Sequence, residues 1–244
     1  MSLPAPSGAR VFSPTPDAMR HALLAGLAAV LLLAPRGEAQ TVPSPFRYIE
    51  LTQSASGYAG WLLTDRGEPE IGPHSGPIVG GRYTVRLSGP LSGEVGLAAS
   101  PGERTVLRRL SAAGEALRLE PVDDVTSLVL IGEAGLRFHV TGPRTWNGLA
   151  PYAALTAGGV WDVMGRSDAE EGLESSQRVS FGPAFAVGIG AGTDWFLSER
   201  LALRLEARDY LWRLQTPEGL TEVRRTQNQW TNNLGLTLGA ALYF

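Results

Sequence analysis

Strict alternation over residues 233–244 constrains this chain more than any other feature of its sequence. Leu234, Leu236, Leu238, Ala240, Leu242 and Phe244 fall on one face of an extended strand, and Asn233, Gly235, Thr237, Gly239, Ala241 and Tyr243 fall on the other, because successive side chains point to opposite sides of a strand. The same pattern recurs upstream, where Leu201, Leu203 and Leu205 share a face while Arg204, Glu206 and Arg208 share the opposite one. A soluble sandwich also alternates, but it turns leucine inward and charge outward. Periodicity leaves both arrangements open.

Segment length separates them better. Strands are predicted near 56–65, 77–89, 91–106, 125–141, 149–164, 178–197, 200–214 and 230–244. Many exceed the usual five or six residues of a soluble strand and suit a tilted membrane strand that continues past the bilayer. The connections alternate in character: residues 88–90, 141–148 and 197–200 are short turns, whereas 66–76, 107–124, 165–177 and 215–229 are longer, polar and charged. An eight-stranded antiparallel transmembrane β-barrel with short periplasmic turns and four extracellular loops predicts that alternation. Trp61, Trp146, Trp161, Trp195, Trp212, Trp230 and the Tyr243-Phe244 pair fall near predicted strand ends. Amphipathic rings favour a membrane–water boundary; ordinary core aromatics are the alternative.

The N-terminal region reads as an export segment. Met19-Arg20-His21, an apolar run over 22–34 and Pro35-Arg36-Gly37-Glu38-Ala39 have the three parts of a secretory signal peptide, with Gly37 and Ala39 at the small-residue positions of a cleavage site. The expected organisation is therefore a disordered extension or mis-called start over 1–18, a signal peptide over 19–39, a periplasmic segment over 40–52 and a barrel over 53–244. No later apolar run approaches the ~20 residues of a membrane helix, so a mature chain that enters a membrane must do so as a barrel.

From residue 53 onward the sequence resembles the small outer-membrane β-barrel family typified by OmpA-like and OmpX-like barrels. The terminal strand carries the most specific element: Leu236, Leu238, Ala240, Leu242 and Phe244 are similar to that family's assembly signal, which implies recognition by the barrel-insertion machinery. Gly80-Gly81, Gly158-Gly159, Gly188, Gly190 and Gly192 are similar to the glycine-rich inward faces of such barrels. The resemblance implies an outer-membrane location, contact with outer-membrane lipid, and a non-enzymatic role that is structural, adhesive or ligand-contacting.

Composition narrows the chemistry. Cysteine is absent, which removes thiol catalysis and thiolate metal sites, and a net charge of −3 without a basic tract gives nucleic-acid binding no support. All 21 of the Lys+Arg residues are arginine, whose planar fork suits paired, enclosed positions. If the leucine faces meet lipid, the opposite faces send Arg82, Arg86, Glu94, Glu133, Arg137, His139, Arg204, Glu206 and Arg208 into one narrow lumen. Charges enclosed there must pair, because an isolated one carries a desolvation penalty of several kcal/mol. The network reads as a structural plug, with a gated, narrow ion pore as the alternative.

Enzyme readings rest on little. Some outer-membrane barrels modify lipid A with His, Ser and an acid, and His74, Ser75 and Asp168 are the residues that could fill those roles here, provided the base reaches its nucleophile. The acidic clusters Asp123-Asp124 and Asp168 to Glu171 lack the spacing of a calcium loop. No catalytic residue, cofactor or metal site is therefore assigned, and the extracellular ligand is left open.

Overall fold

The computed structural model describes residues 44–68, 70–110, 118–164, 168–177, 181–217 and 228–244. The predicted export segment lies outside the described residues. In chain order the strands are β1 (Phe46–Tyr48), β2 (Gln53–Leu63), β3 (Gly76–Ser88), β4 (Leu91–Leu110), β5 (Arg118–His139), β6 (Arg144–Trp146), β7 (Leu149–Asp162), β8 (Ala184–Phe196), β9 (Leu201–Gln215) and β10 (Asn228–Tyr243). Between β7 and β8 lie a short helix α1 (Asp168–Glu171) and a 3-10 turn (Ser175–Gln177).

Eight of these strands close on themselves. Each of β2, β3, β4, β5, β7, β8, β9 and β10 pairs antiparallel with the next, and β10 returns to β2 with a register running from Leu234↔Leu63 to Tyr243↔Ser54. Gln53 and Phe244 exchange backbone hydrogen bonds of 3.2 and 3.0 Å at the seam. Closure satisfies the backbone groups that an open sheet edge would leave bare.

The two faces sort by chemistry. Leu205 is 57% exposed and Leu238 60%, and Val95, Leu97, Leu136, Leu155 and Ile189 likewise point away from the lumen. Arg204, Glu206 and Arg208, one residue out of phase with the leucines, are buried inside. On β10 the same division puts Leu242 and Phe244 outside and Asn233, Ala241 and Tyr243 inside.

Three details depart from the sequence expectation. The segment 107–124 is mostly not a loop: β4 runs to Leu110 and β5 begins at Arg118, with twenty paired rungs from Leu91↔Phe138 to Leu110↔Arg118 and one irregularity at Val106/Leu107. Proline and acidic residues there suggested a loop, yet β5 loses its β7 neighbour beyond Val129↔Asp162, and such an edge tolerates Pro121. Trp212 does not join a boundary belt; it is 0% exposed in the lumen core, because its position is in phase with Arg204, Glu206 and Arg208. Trp61, Trp146, Trp195 and Trp230 do face outward. Finally, β1 and β6 pair as a two-stranded ribbon at the end carrying the short turns, with Phe46 opposite Trp146 and Tyr48 opposite Arg144.

Backbone proximity limits what the wall accepts. A Cβ at Gly158 would collide with the Gly132 carbonyl of the adjacent strand, whereas one at Gly57 meets nothing within 4 Å. Gly158→Val should therefore cost the barrel its heat-resistant, fast-migrating band in gel electrophoresis. Gly57→Ala should leave stability unchanged within about 0.5 kcal/mol.

Candidate functional site: the charged lumen

The inward positions of five strands meet in one layer of charge. Arg82 on β3 donates from Nη1 to both carboxylate oxygens of Glu206 on β9, at 3.1 and 3.0 Å, and from Nη2 to Glu133 on β5 at 3.0 Å. Arg208 on β9 donates to Glu133 and to Glu94 on β4, each at 2.7 Å, and its Nε lies 2.9 Å from Glu206. Arg137 on β5 contacts Glu94 at 2.7 Å. Arg204 grips Asp194 on β8 with two parallel bonds of 2.7 and 2.9 Å and donates a third, of 2.9 Å, to Ser56 on β2. Arginine suits this work because its fork matches a carboxylate edge to edge.

Neutral groups complete the layer. The Tyr152 hydroxyl donates to Glu206 at 2.6 Å, the Tyr243 hydroxyl to Asp194 at 2.6 Å and the Thr156 hydroxyl to Glu133 at 2.7 Å. Arg137 also lies over the Tyr152 ring, 3.9 Å from its centroid, where the ring face attracts a cation. Four guanidiniums thus face four carboxylates, Glu94, Glu133, Glu206 and Asp194, and the formal charge of the layer is zero.

Apolar groups bound this layer on both sides. Toward the long connections stands a buried cluster that includes Tyr58, Leu62, Ile78, Val129, Ile131 and Trp212. Toward the short turns stand Ile49, Ala150, Ala202, Ala241 and Tyr243. Leucine outside and arginine inside reverses the order of a soluble sandwich. This is the fold of a small outer-membrane β-barrel.

Solved structures include barrels of the same kind. The chain is similar to Neisserial surface protein A (15% identity, 82% of this chain and 98% of that one, TM-score 0.46) and to the outer membrane protein OprG from Pseudomonas aeruginosa (13% identity, 80% and 97%, TM-score 0.46). It is also similar to Ail, the attachment invasion locus protein of Yersinia pestis, solved with the heparin analogue sucrose octasulfate (13% identity, 80% and 99%, TM-score 0.40). No family model matches the chain, and no curated protein does.

The remaining residues singled out from the sequence stand outside the ion pairs of the charged layer, with His139 at its margin. Arg86 donates at 2.6 Å to the Ile49 carbonyl near the turn end, and His139 is buried beside Tyr152 with its ring 6.0 Å away. His74 meets Thr105 at 3.0 Å, while the Ser75 hydroxyl accepts from the Thr64 amide at 3.0 Å; the side chain of Asp168 lies outside the described residues. Asp123 and Asp124 stand on β5 rather than in a loop. Among the described residues no group of three or more His, Cys, Asp or Glu is placed to hold a metal ion.

Asp194 and Tyr152 escaped the sequence reading. Asp194 is in phase with Gly188, Gly190 and Gly192, and Tyr152 with Ala150, Ala154 and Thr156, so strand phase alone contained both. A second buried charge group, beyond the apolar cluster, was also missed: Arg104 holds Glu170 with bonds of 2.8 and 2.7 Å and lies 3.6 Å from Asp162.

Glu133 bridges Arg82 and Arg208, so its removal strands buried positive charge. Glu133→Ala should destabilise the barrel by about 3–5 kcal/mol, measured by urea unfolding in lipid vesicles. An unchanged midpoint would show that the bridges carry no stability.

Proposed function

We propose that this chain is a non-enzymatic outer-membrane protein whose sealed barrel holds a rigid recognition surface outside the cell. In this reading the short turns lie in the periplasm and the long connections face outward, after export through a cleaved signal peptide over 19–39. The wall contacts outer-membrane lipid, and the terminal strand with Leu236, Leu238, Ala240, Leu242 and Phe244 is read by the barrel-insertion machinery. The lumen charges Arg82, Glu94, Glu133, Arg137, Arg204, Glu206 and Arg208 hold the wall together as a plug.

One observation carries the reading: the β4–β5 hairpin stands beyond its neighbours and is braced on both faces. On one face Arg104 grips Glu170, and Leu173 packs on Val106 and Val125. On the other, Thr105 accepts from Arg66 at 2.7 Å, contacts His74 at 3.0 Å and donates to Asp124 at 2.7 Å. Between the first long connection and this hairpin lies a cleft of ≈ 610 Å³ whose lining includes Arg66, Glu70, His74, Leu119 and Asp124. Braced connections on a fixed scaffold are where binding function usually resides.

Surface proteolysis tests the orientation and the role together. Trypsin added to intact cells should cut after Arg118, at the outer end of the β4–β5 ladder, and removal of residues 105–124 should leave the heat-resistant barrel in place while abolishing surface binding. Cleavage confined to the short turns, as at Arg144, would invert the orientation. Lipid A altered by deletion of the gene would replace this reading with an enzymatic one.

A further inference from the structure

The β1–β6 ribbon is not explained by the barrel it adjoins. Paired residues of a ribbon share a face, and residues two apart share it as well, so Phe46, Tyr48, Trp146 and Arg144 project from one side. Phe46 is 45% exposed, Tyr48 63% and Trp146 47%, and none of them belongs to a buried cluster. Three-residue strands do not persist on their own pairing. Here the same ladder runs one step past each end of the two strands, the Ile49 amide donating to the Pro143 carbonyl and the Asn147 amide to the Pro45 carbonyl, each at 2.9 Å, and the barrel anchors it from below. Ile49 itself is buried against Ala150, Ala202 and Tyr243, with its carbonyl fixed by Arg86. The fold thus secures a platform whose aromatic face it leaves uncovered.

That face continues the outer wall. The register runs from Phe46 to Trp146, from Trp146 to Leu149 and from Leu149 to Trp195, one row of paired outward positions across β1, β6, β7 and β8. Trp195 is half-exposed like Phe46 and Trp146, and Phe138, Val140 and Leu197 carry the apolar surface of the wall down to the same turns. An apolar band that reaches the turns puts the membrane boundary at their level. Tryptophan and tyrosine suit that boundary, with an apolar ring and a polar atom each accommodated, and an arginine beside them buries its stem while its fork reaches a phosphate.

We propose that the β1–β6 ribbon is a membrane-interface clamp: Phe46, Tyr48 and Trp146 seat among the phospholipid headgroups of the leaflet at the turn end, with Arg144 on their phosphates. The clamp rests on the membrane reading above. It gives the segment preceding the barrel a task, fixing how deep the turn end sits. The occupant is phospholipid because the aromatic row is continuous with the lipid-facing wall.

Absence of native cysteine makes the test direct. Single variants Phe46→Cys, Tyr48→Cys and Trp146→Cys of the full chain, with Leu205→Cys and Glu50→Cys as references, are labelled with a nitroxide. They are then reconstituted in vesicles of phosphatidylcholine and phosphatidylglycerol. Labels at 46, 48 and 146 should lose most of their collisions with a water-soluble nickel complex relative to Glu50, and give depths between those of Glu50 and Leu205. Labels at 46, 48 and 146 as accessible as Glu50, with Leu205 deep, would overturn the clamp while leaving the barrel in its membrane, and would point to a periplasmic protein or cell-wall partner. An accessible Leu205 would overturn the membrane reading and the clamp with it. Trp146→Phe should retain the protection of Tyr48→Cys, whereas Phe46→Ser with Trp146→Ser should lose it.

Discussion

A closed ring of eight strands leaves room inside for side chains and little else, and the rest of this structure follows from that limit. Alternation delivers every second residue to the interior, so once the outward set is apolar the inward set carries the polar groups of the wall. Enclosed charges are tolerable only in pairs with their remaining hydrogen bonds made. The lumen meets the first condition fully: Arg82, Arg137, Arg204 and Arg208 stand against Glu94, Glu133, Glu206 and Asp194, with Tyr152, Thr156 and Tyr243 donating to the carboxylate oxygens, while Nε of Arg82 and Arg208 and both Nη atoms of Arg137 meet carboxylates as ion pairs without hydrogen-bond geometry. Some contacts stay between neighbouring strands, as Arg204 to Asp194 and Arg137 to Glu94 do, but others cross the lumen between strands far apart in the sheet, as Arg82 to Glu206 and Arg208 to Glu94 do. The network therefore ties together parts of the wall that the backbone ladder connects only through intervening strands.

A wall stabilised from within is free to vary at its ends. At the loop end the hairpin of β4 and β5 is steadied by Arg104 and Glu170 on one side and by the contacts of Thr105 on the other, which makes an ordered surface of residues that would otherwise be free connections. At the turn end Ile49 and Arg86 stitch the preceding segment across the barrel mouth and hold the aromatic ribbon beside it. Both ends thus present defined surfaces, polar and cleft-bearing at one, aromatic at the other.

Much of this was legible in strand phase. Alternation over 201–208 and 233–244 placed leucine and charge on opposite faces, and strand length with alternating connections indicated closure. Phase also contained Asp194, Tyr152 and Trp212: the tryptophan was placed at a boundary by residue type rather than position, and Asp194 and Tyr152 were passed over because their strands carry little other charge. The extension of β5 was hidden for a different reason. Val129 is the last β5 position paired with β7, and beyond it Pro121, Asp123 and Asp124 are compatible with a ladder that has β4 alone as its partner. Three-residue strands such as β1 and β6 are too short to show any period, and their pairing depends on a fold that brings residue 46 to residue 146.

Single-channel recording tests the central claim, a neutral and filled lumen, most directly. Purified barrel inserted in a planar bilayer should give no conductance steps above membrane leak across the voltage range in which the bilayer itself is stable. Reproducible ohmic steps from the unmodified protein would mean a hydrated path through the charge layer. They would contradict the account of the lumen as a closed structural plug.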